Sequence, residues 1–178
     1  MARLPYADLS APAGKPLVDR IVRERGSVLH LYQMLLHSPP VAEGWLTYLT
    51  AIRQKSSLSP ALRELVIMRV AVINGAPYEA EQHAPIALKE GVTQGQLDDL
   101  AGWESSTQYT PLQRAVLELA DGMTKNVQVP KAAVTAVREF LSDRELVELV
   151  ATVGAYNMVS RFLEALDIHS HDERPPHA

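Results

Sequence analysis

Two side chains in the segment NGAPYEAEQH, residues 74–83, have the types and the spacing of an acid–base pair. Glu79 and His83 are four residues apart, so on a helix their side chains lie on one face. A carboxylate next to an imidazole holds the ring in one tautomer and stabilises its protonated form, which is a common way to build a general acid near neutral pH. The same spacing is typical of an exposed pair that stabilises a helix by about 0.2–0.5 kcal/mol.

Glu64 is a second carboxylate that could take part in this chemistry. It lies near the start of the apolar segment PALRELVIMRVAVIN, in which Arg63 and Arg69 are the other charged residues. In the first turn of a helix, a glutamate is stabilised by the helix dipole and needs no further role. If Glu64 is buried, it needs a partner, or its pKa rises toward the range useful for proton transfer.

A metal site is a further alternative for these residues. Glu64, Glu79 and His83 offer mixed oxygen and nitrogen ligands. No second histidine lies nearby in the sequence, so we expect no bound metal.

Asn157 and Arg161 form another pair with helical i, i+4 spacing, within an apolar segment. A structural hydrogen bond that closes a contact between helices explains such a pair. Alternatively, Arg161 binds a substrate carboxylate, because a planar guanidinium donates two parallel hydrogen bonds to that group.

The apolar periodicity indicates that helices position all of these residues. Residues 1–14 are rich in Pro and Ala and are expected to form an extended arm. A long amphipathic segment follows, with a break near Gly26. Ser59 and Pro60 predict a helix start, Gly75 predicts its left-handed end, and Pro77 starts the next helix.

No segment of the chain is convincing as a strand. We predict a single all-α domain over residues 1–178, with about seven or eight helices and a polar tail at 168–178. Three pairs with capping-box spacing mark further helix starts: Thr93 with Gln96, Thr110 with Gln113, and Ser142 with Glu145. The similar segments RELVIMRVAV, from Arg63, and RELVELVATV, from Arg144, have two explanations. Either a helical unit is duplicated, or Arg-Glu-Leu-Val is simply a sequence that is common in helices.

The composition limits the classes of partner. The chain has 178 residues, a formal net charge of −4 and no basic run, so nucleic acid and anionic membranes are not expected partners. No apolar stretch approaches the roughly 20 residues of a membrane span, and the N-terminus has no signal core. There is no Cys, which excludes disulfides, thiolate metal sites and thiol catalysis. We expect a cytoplasmic protein.

The stretch 59–92 resembles the core motif of the carboxymuconolactone decarboxylase and alkylhydroperoxidase D superfamily. The peroxidase branch carries a Glu and, about one helix later, Cys-x-x-Cys-x-x-x-His. Glu64 and His83 match the Glu and the His, whereas Ala76 and Glu79 occupy the two cysteine positions. The resemblance therefore excludes a dithiol cycle.

Tyr78 precedes the second of these cysteine positions, at a place that can be His in the peroxidase branch. With Glu64, Glu79 and His83, it completes a proton-handling set without a sulfur nucleophile. The decarboxylase branch has a Glu four residues before the His and then Asn-Gly-Val-Thr, which the segment EGVT at 90–93 matches except for Glu90. The resemblance extends more loosely to residues 37–45 and 146–166.

The resemblance implies a helical bundle like that of alkylhydroperoxidase D, a homo-oligomer (trimer or hexamer), and a decarboxylase-type enzyme without a cofactor. Its substrate would be a small carboxylated lactone or a related unsaturated acid. In this hypothesis His83 delivers a proton, Glu79 orients its ring and Glu64 tunes or relays. Arg69 or Arg161 anchors the carboxylate.

Two other functions remain open from the sequence. One is a peroxidase-like protein that relies on the thiols of a partner. The other is a non-catalytic helical oligomer that binds a small acid.

Overall fold

The computed structural model describes residues 1–174 of the chain. These residues form nine α-helices and two short 3-10 helices and contain no strand, so the prediction of an all-α fold is confirmed. The α-helices are α1 (Lys15–Arg25), α2 (His30–Leu35), α3 (Pro39–Gln54), α4 (Pro60–Asn74), α5 (Pro77–Lys89), α6 (Gln94–Asp99), α7 (Pro111–Lys125), α8 (Lys131–Arg138) and α9 (Asp143–Leu166). The 3-10 helices are Pro12–Gly14 and Leu100–Ser105.

The number of helices exceeds the predicted seven or eight because the first amphipathic segment divides. Gly26 has a φ of 84° and ends α1, a left-handed conformation that glycine adopts without strain. The next helix starts only at His30. The predicted break near Gly26 therefore separates two helices.

The described chain divides into two compact units. Unit 1 contains Met1–Lys55 together with the segment that starts at Leu163, and unit 2 is Ser56–Phe162. The single domain over residues 1–178 stays a prediction. Residues 175–178 of the predicted tail, including His177, lie outside the described residues.

In unit 1, the N-terminal arm is held by hydrogen bonds. The backbone N–H of Arg3 donates to the carbonyl of Leu166 at 2.9 Å, and the hydroxyl of Tyr6 donates to Asp172 at 2.7 Å. The arm has no helix as far as Ala11, as expected, but Pro12–Gly14 forms a 3-10 turn that the sequence analysis missed.

In unit 2, α4 has the ends that the sequence predicts. Pro60 is its first residue, and Gly75 closes it in the left-handed conformation, at φ 60° and ψ 40°. The Ser59 side chain makes no capping hydrogen bond. Glu148 instead accepts hydrogen bonds from the backbone of Ser57 and Leu58, just before the helix.

The core of unit 2 surrounds α4, which packs against α5 and α7. Ten of its fifteen residues are buried, because the helix is apolar nearly all round. One apolar cluster of this core contains Leu65, Met68, Ala87, Val92, Leu100, Trp103, Tyr109 and Leu117. The three predicted capping pairs all form side-chain hydrogen bonds at the starts of α6, α7 and α9.

Helix α9 differs from expectation in one respect. It has 24 residues, and its mean hydropathy reaches 1.2, so by length and composition alone it passes a test for a membrane span. The sequence analysis expected no such stretch, since charged residues interrupt this one. Core helices pass the same test, and Leu149, Val153 and Val159 of α9 are buried in the protein.

Candidate functional site

Glu64 of α4 and His83 of α5 meet in the interior of unit 2. The chain reverses direction through Gly75 and Ala76, which lays α5 against α4. The Nδ1 atom of His83 lies 2.7 Å from Oε2 of Glu64. Glu64 is 0% exposed and His83 5% exposed, so this contact is shielded from water. Glu64 is the fifth residue of α4, so the expectation that it lies in the first turn is wrong, and its partner is His83.

The electrostatics of Glu64 fix the tautomer of His83. Burial raises the pKa of Glu64. The hydrogen bond and charge of His83 and the charge of Arg63 lower it by more than burial raises it, so the pKa lies below its ordinary value. The carboxylate is therefore ionised and can only accept a hydrogen bond. Nδ1 of His83 carries the hydrogen of that bond, and Nε2 is the nitrogen left for proton exchange.

Glu79 lies on the other side of the imidazole ring. Its Oε2 atom is 3.7 Å from Nε2 of His83, and its side chain is 4% exposed. The two residues share one face of α5, as their spacing predicts, and they are not an exposed pair. The short contact at Nδ1 comes from Glu64, and the role of Glu79 in orienting the ring stays a prediction.

Arg63 completes this group, which we call the acid–base cluster: Arg63, Glu64, Glu79 and His83. Its Nε atom donates to Oε1 of Glu64 at 3.1 Å, and the residue is 8% exposed. No role for Arg63 was predicted from the sequence. An arginine next to a candidate catalytic carboxylate, in an otherwise apolar helix, was the signal available, because arginine is rarely buried without a charge to bind.

Two tyrosines accompany the cluster. The ring of Tyr156, on α9, packs edge-on against His83 with centroids 5.0 Å apart. Tyr78 adjoins Glu79 on α5 and is 2% exposed. Tyr156 is buried, and nothing in the sequence pattern of α9 indicates its contact with His83.

The structure does not support Arg69 as the anchor of a substrate carboxylate. Its Nε and Nη2 atoms donate to the two carboxylate oxygens of Asp121, each at 2.6 Å. Its Nη1 atom donates to the carbonyls of Leu100 and Ala101. Arg69 also lies about 140° around the helix axis from Glu64, at about 100° per residue. It therefore serves a different contact, between α4 and α7.

Arg161 has a local partner as well. Its Nη1 atom donates to the side-chain oxygen of Asn157 at 2.7 Å and to the Asn157 carbonyl at 3.0 Å. Asn157 in turn donates to Thr124 and accepts from Asn74, which joins α9 to α7 and α4. These bonds support the structural interpretation of the pair. The role of Arg161 as an anchor stays a prediction.

The arrangement around His83 is unsuited to a metal ion. Glu64 faces Nδ1 and Glu79 faces Nε2, so the two carboxylates cannot share one ion with a single ring nitrogen. Within residues 1–174, no group of three or more His, Asp or Glu side chains has an arrangement that could hold a metal.

Comparison with protein families and curated proteins gives a consistent result. The model of the carboxymuconolactone decarboxylase family matches residues 39–122. The uncharacterized protein YdfG of Bacillus subtilis is 30% identical over 115 residues, which are 64% of this chain and 78% of that protein. The uncharacterized protein YnjA of Escherichia coli is 27% identical over 126 residues, 70% of this chain and 66% of that protein.

Solved structures share the fold. A peroxidase-related protein from Ralstonia eutropha, described as an alkylhydroperoxidase AhpD core, has a TM-score of 0.82 and 21% identity, with 96% of this chain and 93% of that one covered. The debrominase Bmp8, in a complex with 2,3,4-tribromopyrrole, has a TM-score of 0.79 and 17% identity over 95% of this chain and 91% of its own. These likenesses establish an AhpD-like fold.

Proposed function

Because the chain belongs to the carboxymuconolactone decarboxylase family, we propose that it is an acid–base enzyme without a cofactor, acting on a small carboxylated lactone or a related unsaturated acid. One observation carries the proposal: the contact of 2.7 Å between His83 and the ionised, fully buried Glu64. This contact fixes one ring nitrogen and leaves the other available to exchange a proton with a substrate.

The chemistry needs one proton at one carbon. Loss of CO2 breaks the bond between the carboxylate carbon and its neighbour, and the electron pair stays on the neighbouring allylic carbon. Protonated His83 donates the Nε2 hydrogen to that carbon, and a C–H bond forms. The ring is then neutral, and its Nδ1 hydrogen remains on the ring, hydrogen-bonded to Glu64. The next cycle begins when Nε2 takes up a proton from water.

Glu79 stabilises the charged form of the ring before the transfer. Its carboxylate lies 3.7 Å from Nε2, a distance at which a negative charge attracts the imidazolium strongly in a dry site. The interaction is electrostatic, because the distance exceeds that of a hydrogen bond. Nε2 therefore remains free to donate to a substrate.

Thiol-dependent peroxidase chemistry is less well supported. The chain has no Cys, so it would need the thiols of another molecule to reduce a peroxide. Glu79 stands at one of the positions where the peroxidase branch has a cysteine. A carboxylate at that position can hold or attract a proton but cannot form a disulfide.

The test is release of CO2 from a panel of carboxylated lactones and unsaturated acids. In heavy water, the product of a true substrate should carry one deuterium at one end of the allylic system that forms when CO2 is lost. The variant His83→Gln keeps a hydrogen-bonding side chain but cannot titrate, so it should give neither signal. Saturable binding of the acids without any CO2 release would instead identify a binding protein.

A further inference from the structure

Arg63 has hydrogen-bonding capacity that the protein leaves unused. Its Nε atom donates to Glu64, but Nη1 and Nη2 donate no hydrogen bond to any of residues 1–174. The side chain is nevertheless nine-tenths buried, with a relative exposure of 9%. A guanidinium has no acceptor atoms and stays charged, so it cannot relieve this state by losing a proton.

These two nitrogens of Arg63 reach solvent, because neither is among the buried side-chain atoms that lack a hydrogen-bond partner. Buried charges in proteins are normally paired and hydrogen-bonded, and a mostly buried guanidinium whose outer donors have no protein partner is suited to binding an anion there. Glu64 satisfies only part of the need, since the same carboxylate also binds His83 through its other oxygen. The outer edge of the guanidinium is therefore ready for a second anion.

The other candidate arginines differ in this respect. Arg69 donates through all three of its nitrogens to Asp121 and to two carbonyls. Arg161 is exposed and donates to Asn157. Only Arg63 combines burial with direct contact to the carboxylate that holds the ring of His83.

We propose that Arg63 binds the carboxylate of the substrate through Nη1 and Nη2. A planar carboxylate accepts two parallel hydrogen bonds from these atoms, which fixes the orientation of the substrate as well as its position. Glu64 bridges Arg63 and His83, so the bound carboxylate is placed beside the ring that donates the proton. The inference rests on the proposed function for the identity of the reaction and names the recognised group as a carboxylate.

The charge on Arg63 also selects for charged ligands. Arg63, His83 and Glu79 retain exposures of 8%, 5% and 4%, whereas Glu64 is at 0%, so Glu64 is the innermost residue of the cluster. A neutral analogue would leave Arg63 unpaired and gain little. We therefore expect binding to depend on the charge of the ligand.

The first test compares two ligands by calorimetry. The probes are γ-carboxy-γ-butyrolactone and its methyl ester, which differ mainly in the negative charge. The wild-type protein should bind the acid roughly 10- to 100-fold more tightly than the ester, the range for charge-assisted hydrogen bonds. Equal affinities, or no saturable binding of the acid, would overturn the proposal.

The second test uses substitutions with a matched control. Arg63→Ala should weaken binding of the acid by a similar factor, Arg63→Lys should restore part of it, and the ester should be unaffected. Arg144→Ala removes the arginine of the second RELV segment, which is 68% exposed, and should leave both affinities unchanged. Unchanged binding of the acid in Arg63→Ala would rule the role out.

Folding of Arg63→Ala is a separate question, because the substitution also removes a partner of Glu64. If that variant does not fold, two other measurements test the role of Arg63. These are the ligand affinities of the Arg63→Lys variant and nitrogen NMR of the guanidinium in the wild-type protein. The Nη resonances of one buried arginine should shift with the acid and stay unchanged with the ester; no shift counts against the proposal.

The outcome for Arg63 can be separated from that for the reaction. Charge-dependent binding through Arg63 without CO2 release would rule out the proposed decarboxylation and support the role of Arg63 in binding the carboxylate. CO2 release with an unchanged KM in both Arg63 variants would end the anchor and leave the reaction. If both hold, the variants should raise KM more than they lower kcat.

Discussion

The tetrapeptide Arg-Glu-Leu-Val occurs twice in unit 2, near the start of α4 and near the start of α9. In α4, Arg63 and Glu64 are buried, and Glu64 is completely shielded from solvent. In α9, Arg144 is 68% exposed, and Glu145 accepts a hydrogen bond from Ser142 as part of an N-terminal cap. The same four residues therefore support a charged interior in one place and a helix start in the other.

The difference shows that the motif alone carries no chemistry. In α4 the charged residues lie beneath a second helix, and α5 delivers His83 to Glu64. In α9 the glutamate is the third residue of the helix and binds its own cap, so its side chain is occupied locally. The segment in α4 differs from that in α9 in two respects: its charged residues are buried, and its glutamate has a partner on another helix. The internal duplication itself stays a prediction.

The largest expected effect comes from removing the partner that only the first segment has. His83→Gln should lower turnover of a confirmed substrate by about 10²–10⁴-fold, the usual contribution of a general acid or base. The variant should remain folded, because glutamine can still donate a hydrogen bond to Glu64. Steady-state kinetics and circular dichroism measure the two properties.

An exposed histidine provides the control for this change. His171 is exposed, and His171→Gln should leave turnover within a few-fold of wild type. A His83→Gln variant that keeps near wild-type turnover would show that the acid–base cluster is a structural feature, as Arg144 and Glu145 are in α9.

A second large effect should separate stability from chemistry within α4. Position 69 is an arginine paired with Asp121, whereas the corresponding position of the second segment is Val150, which is 38% exposed. Asp121→Asn leaves the buried Arg69 without its counter-charge and should lower the free energy of unfolding by about 3–5 kcal/mol. Chemical denaturation measures this loss.

The folded fraction of that variant should turn over substrate at a rate within a few-fold of wild type. A selective loss of kcat/KM with unchanged stability would reinstate Arg69 as a substrate-binding residue. Val150→Asn, which changes only the exposed counterpart, should alter stability by less than about 0.5 kcal/mol.

The helices could be predicted because their signals are local. Gly75 and Pro77 mark the turn between α4 and α5 through their own backbone preferences, and the capping pairs act over three residues. The family motif added Glu64 and His83, which α4 and α5 bring together. Local patterns and one motif therefore accounted for the fold and for the two residues of the Glu64–His83 contact.

The charge partners could not be predicted in this way. Arg69 and Asp121 are 52 residues apart, and nothing in either segment shows which faces of α4 and α7 meet. The contact between Glu64 and Nδ1 of His83 could not be predicted for the same reason. Glu79 has the helical spacing, but the distance between helices gives the short contact to Glu64.

A matched pair of substitutions tests the contrast between the two glutamates directly. Glu64→Gln should lower turnover roughly 10- to 100-fold, less than the loss of His83, because the proton donor remains while its tautomer and orientation are no longer fixed. Glu145→Gln should leave turnover unchanged. Equal effects on turnover would mean that Glu64 acts only as a helix-start residue.

The smallest expected effect concerns Glu148, a charged residue of the second RELV segment. Its side chain contacts residues outside α9. At the corresponding position the first segment has Ile67, which is fully buried. Glu148 accepts hydrogen bonds from Ser56, Ser57 and Leu58, which lead into α4. Burial raises the pKa of Glu148, but hydrogen bonds from Ser57, Arg144 and Ser56 outweigh it and lower the pKa to about 2.

The sign of the pH dependence follows from this depressed pKa. The folded state favours the ionised form, so the stabilisation is fully present above the ordinary value of 4.5 and is lost as the pH falls toward about 2. Glu148→Gln should cost about 1–2 kcal/mol at neutral pH, since these charge-assisted bonds stay partly hydrated. In urea denaturation, the difference in the free energy of unfolding between Glu148→Gln and wild type should be constant above roughly pH 6 and should shrink at acid pH. A difference that is unchanged at acid pH would mean that the Glu148 charge does not hold the start of α4, and that the second segment contributes only its cap.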